Sequence, residues 1–187
     1  MIGRPISELT VGQTAELTRT VTSWMITEFA GAIGDENPLH SDRQFAEGVS
    51  FDEPIAPGIL TGGLISAVIG TQLPGPGTLY MSQEFRFLKP VYSGDTITAR
   101  VEVVELIAAR NRARLKNVCV NQRGEEVLIG ESWVKPPKER IVYNEATYTY
   151  PSVLGSHAPW VVAAMVIQFW SRLAHSLLAT GRRDPTT

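Results

Sequence analysis

The stretch "GILTGGLISAVIGTQLPGPG", residues 58–77, constrains the fold of this chain more than any other. Ile59, Leu60, Leu64, Ile65, Val68 and Ile69 leave its helical part without a polar face. A helix that is apolar all round is expected to be buried on every side. Gly62 and Gly63 cost helix stability but let other backbone come close. "LPGPG" then ends the helix. The cover for such a helix has to come from the rest of the chain.

Residues 78–135 are patterned to supply it. "TLYMSQEFRFLKPV" puts Leu79, Met81, Gln83, Phe85 and Phe87 on one face of a strand, and "GDTITARVEVVEL" does the same with Ile97, Ala99, Val101 and Val103. "ARLKNVCVNQRGEEVLIGESWVK" reads as two strands joined near Arg123 and Gly124. Strands joined by short turns make an antiparallel sheet. The expected class is α+β, with the sheet wrapped around the apolar helix. Pro136 and Pro137 close this unit, so the expected division is residues 1–137 and an extension over 138–187.

In the extension, "PWVVAAMVIQFWSRLAHSLLA" (residues 159–179) reads as a further long helix. Gln168, Arg172, His175 and Ser176 interrupt its second half. Three readings stand: a packed or protein-contacting helix, a membrane-surface helix and a membrane span. The basic pair Arg182–Arg183 keeps the membrane readings open.

The remaining bulk features narrow the function classes. The net charge of -2 gives no reason to expect nucleic acid. Cys119 is the sole cysteine, which rules out an internal disulfide, and its neighbours Val118 and Val120 suit an apolar strand position. "MIGRPISELT" has no apolar signal region, so a cytoplasmic location is expected.

Ahead of the apolar helix, "GQTAELTRTVTS" has strand character. Thr22 or Ser23 can then cap a helix in which Met25, Phe29 and Ile33 recur at helical spacing, and Gly34 suits a left-handed stop. "GDENPLH" follows, with Asp35 and His40 either side of Asn37-Pro38, a turn signal. The turn either brings the two together as an acid/base pair or leaves a capping carboxylate and an exposed imidazole. "SDRQFAEG" suits a short capped helix.

Gly58 lies in the first turn of the apolar helix, where backbone N–H groups lack helical partners. It is either a plain loop-to-helix glycine or a donor to an oxygen that gains negative charge. Ser66, two turns on, needs a partner if buried: its own helix carbonyl one turn back, or a loop carboxylate such as Asp35. Metal binding lacks a His-x-x-x-His or cysteine cluster. His157 and His175 are assigned no catalytic role. "RNRAR", residues 110–114, is either a solvated hairpin or a contact for anionic phosphates.

Taken together, "FAGAIGDENPLHSDRQFAEG" and "EPIAPGILTGGLISAVIGTQLPGPGTLYMSQEFRFLKPVYSGDTI" resemble the MaoC-like (R)-specific enoyl-CoA hydratases, from about residue 8 to residue 137. The resemblance implies a hotdog fold and a homodimer with its acyl-CoA site near the subunit boundary. It implies Asp35 and His40 as the catalytic pair, Gly58 as N–H donor to the thioester oxygen, and Ser66 and Asn37 in support. Leu60, Leu64 and Ile69 are expected to line the acyl tunnel. No metal or redox cofactor is implied; CoA is part of the substrate. Two alternatives stand beside the hydratase: the same chemistry on carrier-protein-bound or polyketide-like chains, with an acyl carrier protein as partner, and a non-catalytic acyl-binding subunit. The family usually has His before the helix-start glycine, where this chain has Pro57.

Overall fold

A computed structural model describes residues 1–144. The apolar stretch forms α3, Gly58–Thr71. Pro57 precedes it with φ -52°, a geometry suited to entering a helix. The helix lies against an antiparallel sheet of five strands: β2 (Thr14–Thr20), β3 (Leu79–Phe87), β4 (Thr96–Ile107), β5 (Arg112–Val120) and β6 (Glu126–Lys135). Their order across the sheet is β2-β4-β5-β6-β3. Ile97, Ala99, Val101 and Val103 of β4 are fully buried, as their alternation predicts. With Leu115 and Leu128 they meet Ile65, Val68 and Ile69 of α3 in one core.

β3 departs from the simple alternation. Its register against β6 shifts between Tyr80 and Ser82. Met81 is the extra residue of this bulge, and a bulge reverses which side chains face inward beyond it. Gln83 pairs with Ser132 and Tyr80 with Val134, both of them buried inner-face positions. Tyr80 therefore shares the inner face with Gln83 and Phe85. Leu79, expected there, pairs with Lys135 on the outer side and is 61% exposed.

α3 also differs from expectation, because only one side of it is buried. Thr61, Gly62, Leu64, Ile65, Val68 and Ile69 face the sheet. Ile59, Gly63, Ser66 and Gly70 form an exposed stripe along the other side. The two central glycines differ accordingly. A Cβ on Gly62 would come within 2.6 Å of the Phe85 ring, whereas a Cβ on Gly63 would meet nothing within 4 Å.

Two helices lie between β2 and α3. α1, Ser23–Ile33, starts at Thr22, whose side chain accepts the Met25 N–H at 3.2 Å. It ends at Gly34 in the left-handed conformation, φ 72°. α2, Arg43–Gly48, is capped by Asp42. A small ladder of β1 (Ile2–Gly3) and β7 (Ile141–Val142) ties the two ends of this unit together. The Met1 amine donates to the Tyr143 carbonyl at 2.7 Å, and the compact unit runs from Met1 to Tyr143, past Pro136 and Pro137. The apolar segment 159–179 with its membrane readings, His157 and His175 lie outside the described residues.

Among the described residues, no helix is long and apolar enough to cross a membrane.

Candidate active site

Gly34 turns the chain out of α1 and delivers Asp35 into two nested turns. The Asp35 carboxylate accepts the Asn37 N–H at 3.1 Å through Oδ1, and Asn37 Oδ1 accepts the Leu39 N–H at 3.1 Å. Pro38 opens the 3₁₀ turn Pro38–His40 that Asn37 caps. These are the bonds by which Asx side chains stabilise turns. They leave Asp35 Oδ2 directed at the imidazole, 3.5 Å from His40 Nε2.

The imidazole is anchored from its other side. His40 Nδ1 lies 2.8 Å from the Ile55 carbonyl oxygen. A carbonyl only accepts, so Nδ1 carries the hydrogen and neutral His40 keeps its lone pair on Nε2. The side chain is 12% exposed against 28% for Asp35, so the pair is shielded but reachable. Two proton acceptors thus face one another, able to share one proton or to approach one small hydroxylic molecule from both sides.

Ile55 also fixes this loop relative to α3. Its N–H donates to the Leu39 carbonyl, and the next residue, Ala56, donates to the Val91 carbonyl at 2.7 Å. α3 begins at Gly58, just beyond. Pro57 supplies no side-chain cap there, and the first backbone N–H groups have no helical acceptor. A cavity of about 440 Å³, mostly apolar, opens beside this helix start and is lined by Gly58, Ile55, Phe87 and Lys89 among others. Its wall is tight at Gly58, where a Cβ would come within 2.8 Å of the Phe87 ring.

The structure therefore brings Asp35, His40 and Asn37 into one turn and joins that turn, through Ile55, to the start of α3 at Gly58. Ser66 is placed differently. It is exposed on the open stripe of α3 and interacts with the Tyr80 phenol, with neither of its two expected partners. Burial pushes the Tyr80 phenol up to about 12, and the Ser66 interaction works against that rise. Leu64 and Ile69 belong to the core, and Leu60 packs against it. None of the three lines the cavity at Gly58. Their burial reflects the sheet-facing side of α3, which holds the core together.

The other candidates are structural. Cys119 is buried, its thiol pushed up to about 12 by desolvation, with Sγ 3.9 Å from the Thr61 carbonyl. In the 110–114 hairpin, Arg114 bonds Glu105 at 2.9 Å and Glu131 at 3.1 Å and lies over the Trp133 ring. This hairpin stands at the end of the sheet opposite Phe87, as the strand registers require. Ile55, Tyr80 and Lys89 are neighbours of these residues that sequence reasoning did not single out; Ile55 meets His40, Tyr80 meets Ser66 and Lys89 lines the cavity.

An antiparallel sheet curled over one long helix is shared with solved hydratases. The chain has a TM-score of 0.71 and 42% identity to an unliganded R-hydratase from Pseudomonas aeruginosa, covering 76% of this chain and 92% of that one. Against the (R)-hydratase from A. caviae involved in PHA biosynthesis the TM-score is 0.67 at 39% identity, covering 70% and 98%. The fold places the chain in the hotdog class that these hydratases share. Residues 8–126 match the MaoC like domain, and the chain belongs to that family. A curated relative from Methylorubrum extorquens, named 3-hydroxybutyryl-CoA dehydratase, is 47% identical over 133 residues, covering 71% of this chain and 83% of the relative. One from Rhodospirillum rubrum, named (R)-specific enoyl-CoA hydratase, is 40% identical over 126 residues, covering 67% and 87%.

Proposed function

We propose that this protein adds water reversibly to trans-2-enoyl-CoA, giving the (R)-3-hydroxyacyl-CoA. The observation that carries the reading is the anchored His40 with Nε2 3.5 Å from Asp35 Oδ2, joined through Ile55 to the start of α3. The thioester carbonyl sits at the Gly58 N–H, where the helix N-terminus favours the enolate-like charge that grows as C3 is attacked. Water lies between Asp35 and His40. One of the two takes its proton as the oxygen bonds C3, and a proton from the pair is delivered to C2 on the same face. Nδ1 stays bonded to Ile55 throughout, so proton traffic runs through Nε2.

Relatives named 3-hydroxyacyl-[acyl-carrier-protein] dehydratase, one at 31% identity from Solanum lycopersicum, support a second reading with a carrier-borne acyl chain and the same residues. The working unit is a homodimer. β3 is an edge strand of the sheet, and the open stripe of α3 lies on the same molecule with Met81 and Phe87 about half exposed. Unpaired strand edges and apolar patches of this kind are covered in association. Incubation with crotonyl-CoA tests the activity: loss of enoyl absorbance with formation of the (R) product is expected. No loss with crotonyl-CoA or longer enoyl thioesters contradicts it.

A further inference from the structure

α3 carries glycine at positions 58, 62, 63 and 70, and glycine costs a helix stability. None of these glycines has a positive φ, so the backbone itself asks for glycine at none of them. Two of them are asked for by aromatic rings. A Cβ on Gly58 would meet Phe87 ring carbons at 2.8 and 3.1 Å, and a Cβ on Gly62, one turn on, would meet Phe85 ring carbons at 2.6 and 3.0 Å. The two phenylalanines stand two residues apart on β3, with ring centroids 6.1 Å apart and planes tilted by 52°. Gly63 and Gly70 meet nothing within 4 Å. β3 is thus keyed to α3 by two rings that fill two missing side-chain places.

The ring at Gly58 bears on the chemistry because few other contacts hold that turn. Pro57 brings no N–H and no side-chain cap. The loop before it is tied by backbone bonds, Ile55 N–H to the Leu39 carbonyl and Ala56 N–H to the Val91 carbonyl. The Leu60 N–H closes on the Pro57 carbonyl at 2.9 Å, while the N–H groups of Gly58 and Ile59 have no acceptor within the helix. Phe87 itself is well seated. Phe85 packs against it, and the next residue, Leu88, donates its N–H to the Val127 carbonyl at 2.9 Å. The sheet therefore sets the place of the ring, and the helix start is set against the ring.

We propose that Phe87 is a positioning residue: its ring, lodged where Gly58 has no side chain, fixes the first turn of α3 and with it the direction of the Gly58 N–H. The proposal rests on the reading of that N–H as donor to the thioester oxygen. Such a donor acts on charge that grows in the transition state, so its aim matters more for kcat than for substrate binding. Phe87 also lines the cavity, and a residue that served only as cavity wall would act on KM instead. The two roles differ again at Gly58. If the ring is what excludes a side chain there, a smaller residue at 87 makes room for one.

Crotonyl-CoA kinetics of wild type, Gly58→Ala, Phe87→Leu and the double variant test this at equal folded concentration. Phe87→Leu is expected to lower kcat about tenfold with KM held within about twofold, and Gly58→Ala to lower kcat about a hundredfold. The double variant is expected to be about tenfold faster than Gly58→Ala, because the methyl then has space. Phe87→Met keeps much of the volume without the flat ring and repeats the cycle if Phe87→Leu does not fold. A double variant no faster than Gly58→Ala overturns the proposal. So does a Phe87→Leu that raises KM at unchanged kcat, or one whose loss vanishes when protein concentration is raised about tenfold, which reports dissociation of subunits. If wild type hydrates no enoyl thioester, the hydratase reading fails by itself. Crystal structures of wild type and Phe87→Leu then still decide the role of the ring: a shift of the Gly58 nitrogen by about 0.5 Å or more relative to His40 Nε2 is expected, and an unmoved nitrogen overturns the proposal.

Discussion

The two sides of α3 have nearly the same hydropathy and opposite surroundings. Ile65, on the sheet side, is fully buried; Ile59, on the other, is 57% exposed. Gly62 is pressed by the Phe85 ring, and Gly63 faces open space. Hydropathy reports whether a surface is covered in the working protein. It does not report which molecule covers it. The sheet side is covered by this chain, and in our account the other side is covered by a second copy.

Substitutions on the two sides should therefore fail in different ways. The largest effect is expected at Ile65. Ile65→Ala leaves a cavity in the core and should cost about 3 kcal/mol in denaturant unfolding, while Ile59→Ala should change the stability of the single chain by less than about 0.5 kcal/mol. Next, Gly63→Glu puts a charge on the open stripe. It should shift the protein to monomer in sedimentation measurements, because a buried unpaired charge is strongly unfavourable in an isologous contact. A dimer of unchanged strength would remove α3 from the interface. Gly62→Ala is a smaller intrusion, since the Phe85 ring must give way, and about 1 kcal/mol of stability should be lost.

The smallest effect is spectroscopic. Tyr80 should ionise near pH 12 in an absorbance titration, above the usual 10 for tyrosine. Ser66→Ala should raise it further, because the serine lowers the value. A phenol whose folded pKa is raised favours the folded state fully below pH 10. That contribution fades as pH rises from about 10 to about 12.

The core and the turn of Asp35 and His40 were legible in the sequence for related reasons. β4 alternates cleanly, and its four inward residues are fully buried. Thr22, Gly34, Asn37 and Pro38 each act through a local rule about caps and turns, so the turn carrying Asp35 and His40 could be placed. What was missed is non-local or lacks a side-chain signal. The Ile55 carbonyl that sets the His40 tautomer is a backbone atom, which any residue could supply. The Met81 bulge moves Tyr80 inward, and one inserted residue leaves no trace in composition. The pairing of Ile2–Gly3 with Ile141–Val142 is too short for any periodicity to announce.

The site is the least redundant part of this account. It depends on one carboxylate and one imidazole held 3.5 Å apart beside a helix start. The most direct measurement is the initial rate of crotonyl-CoA hydration by wild type and by Asp35→Asn at equal folded concentration. Asp35→Asn keeps the turn's acceptor for the Asn37 N–H but loses the carboxylate that faces His40. The account predicts hydration to (R)-3-hydroxybutyryl-CoA by wild type and a fall of about a thousandfold in kcat for the variant, with an unchanged melting temperature. A variant as fast as wild type would contradict it.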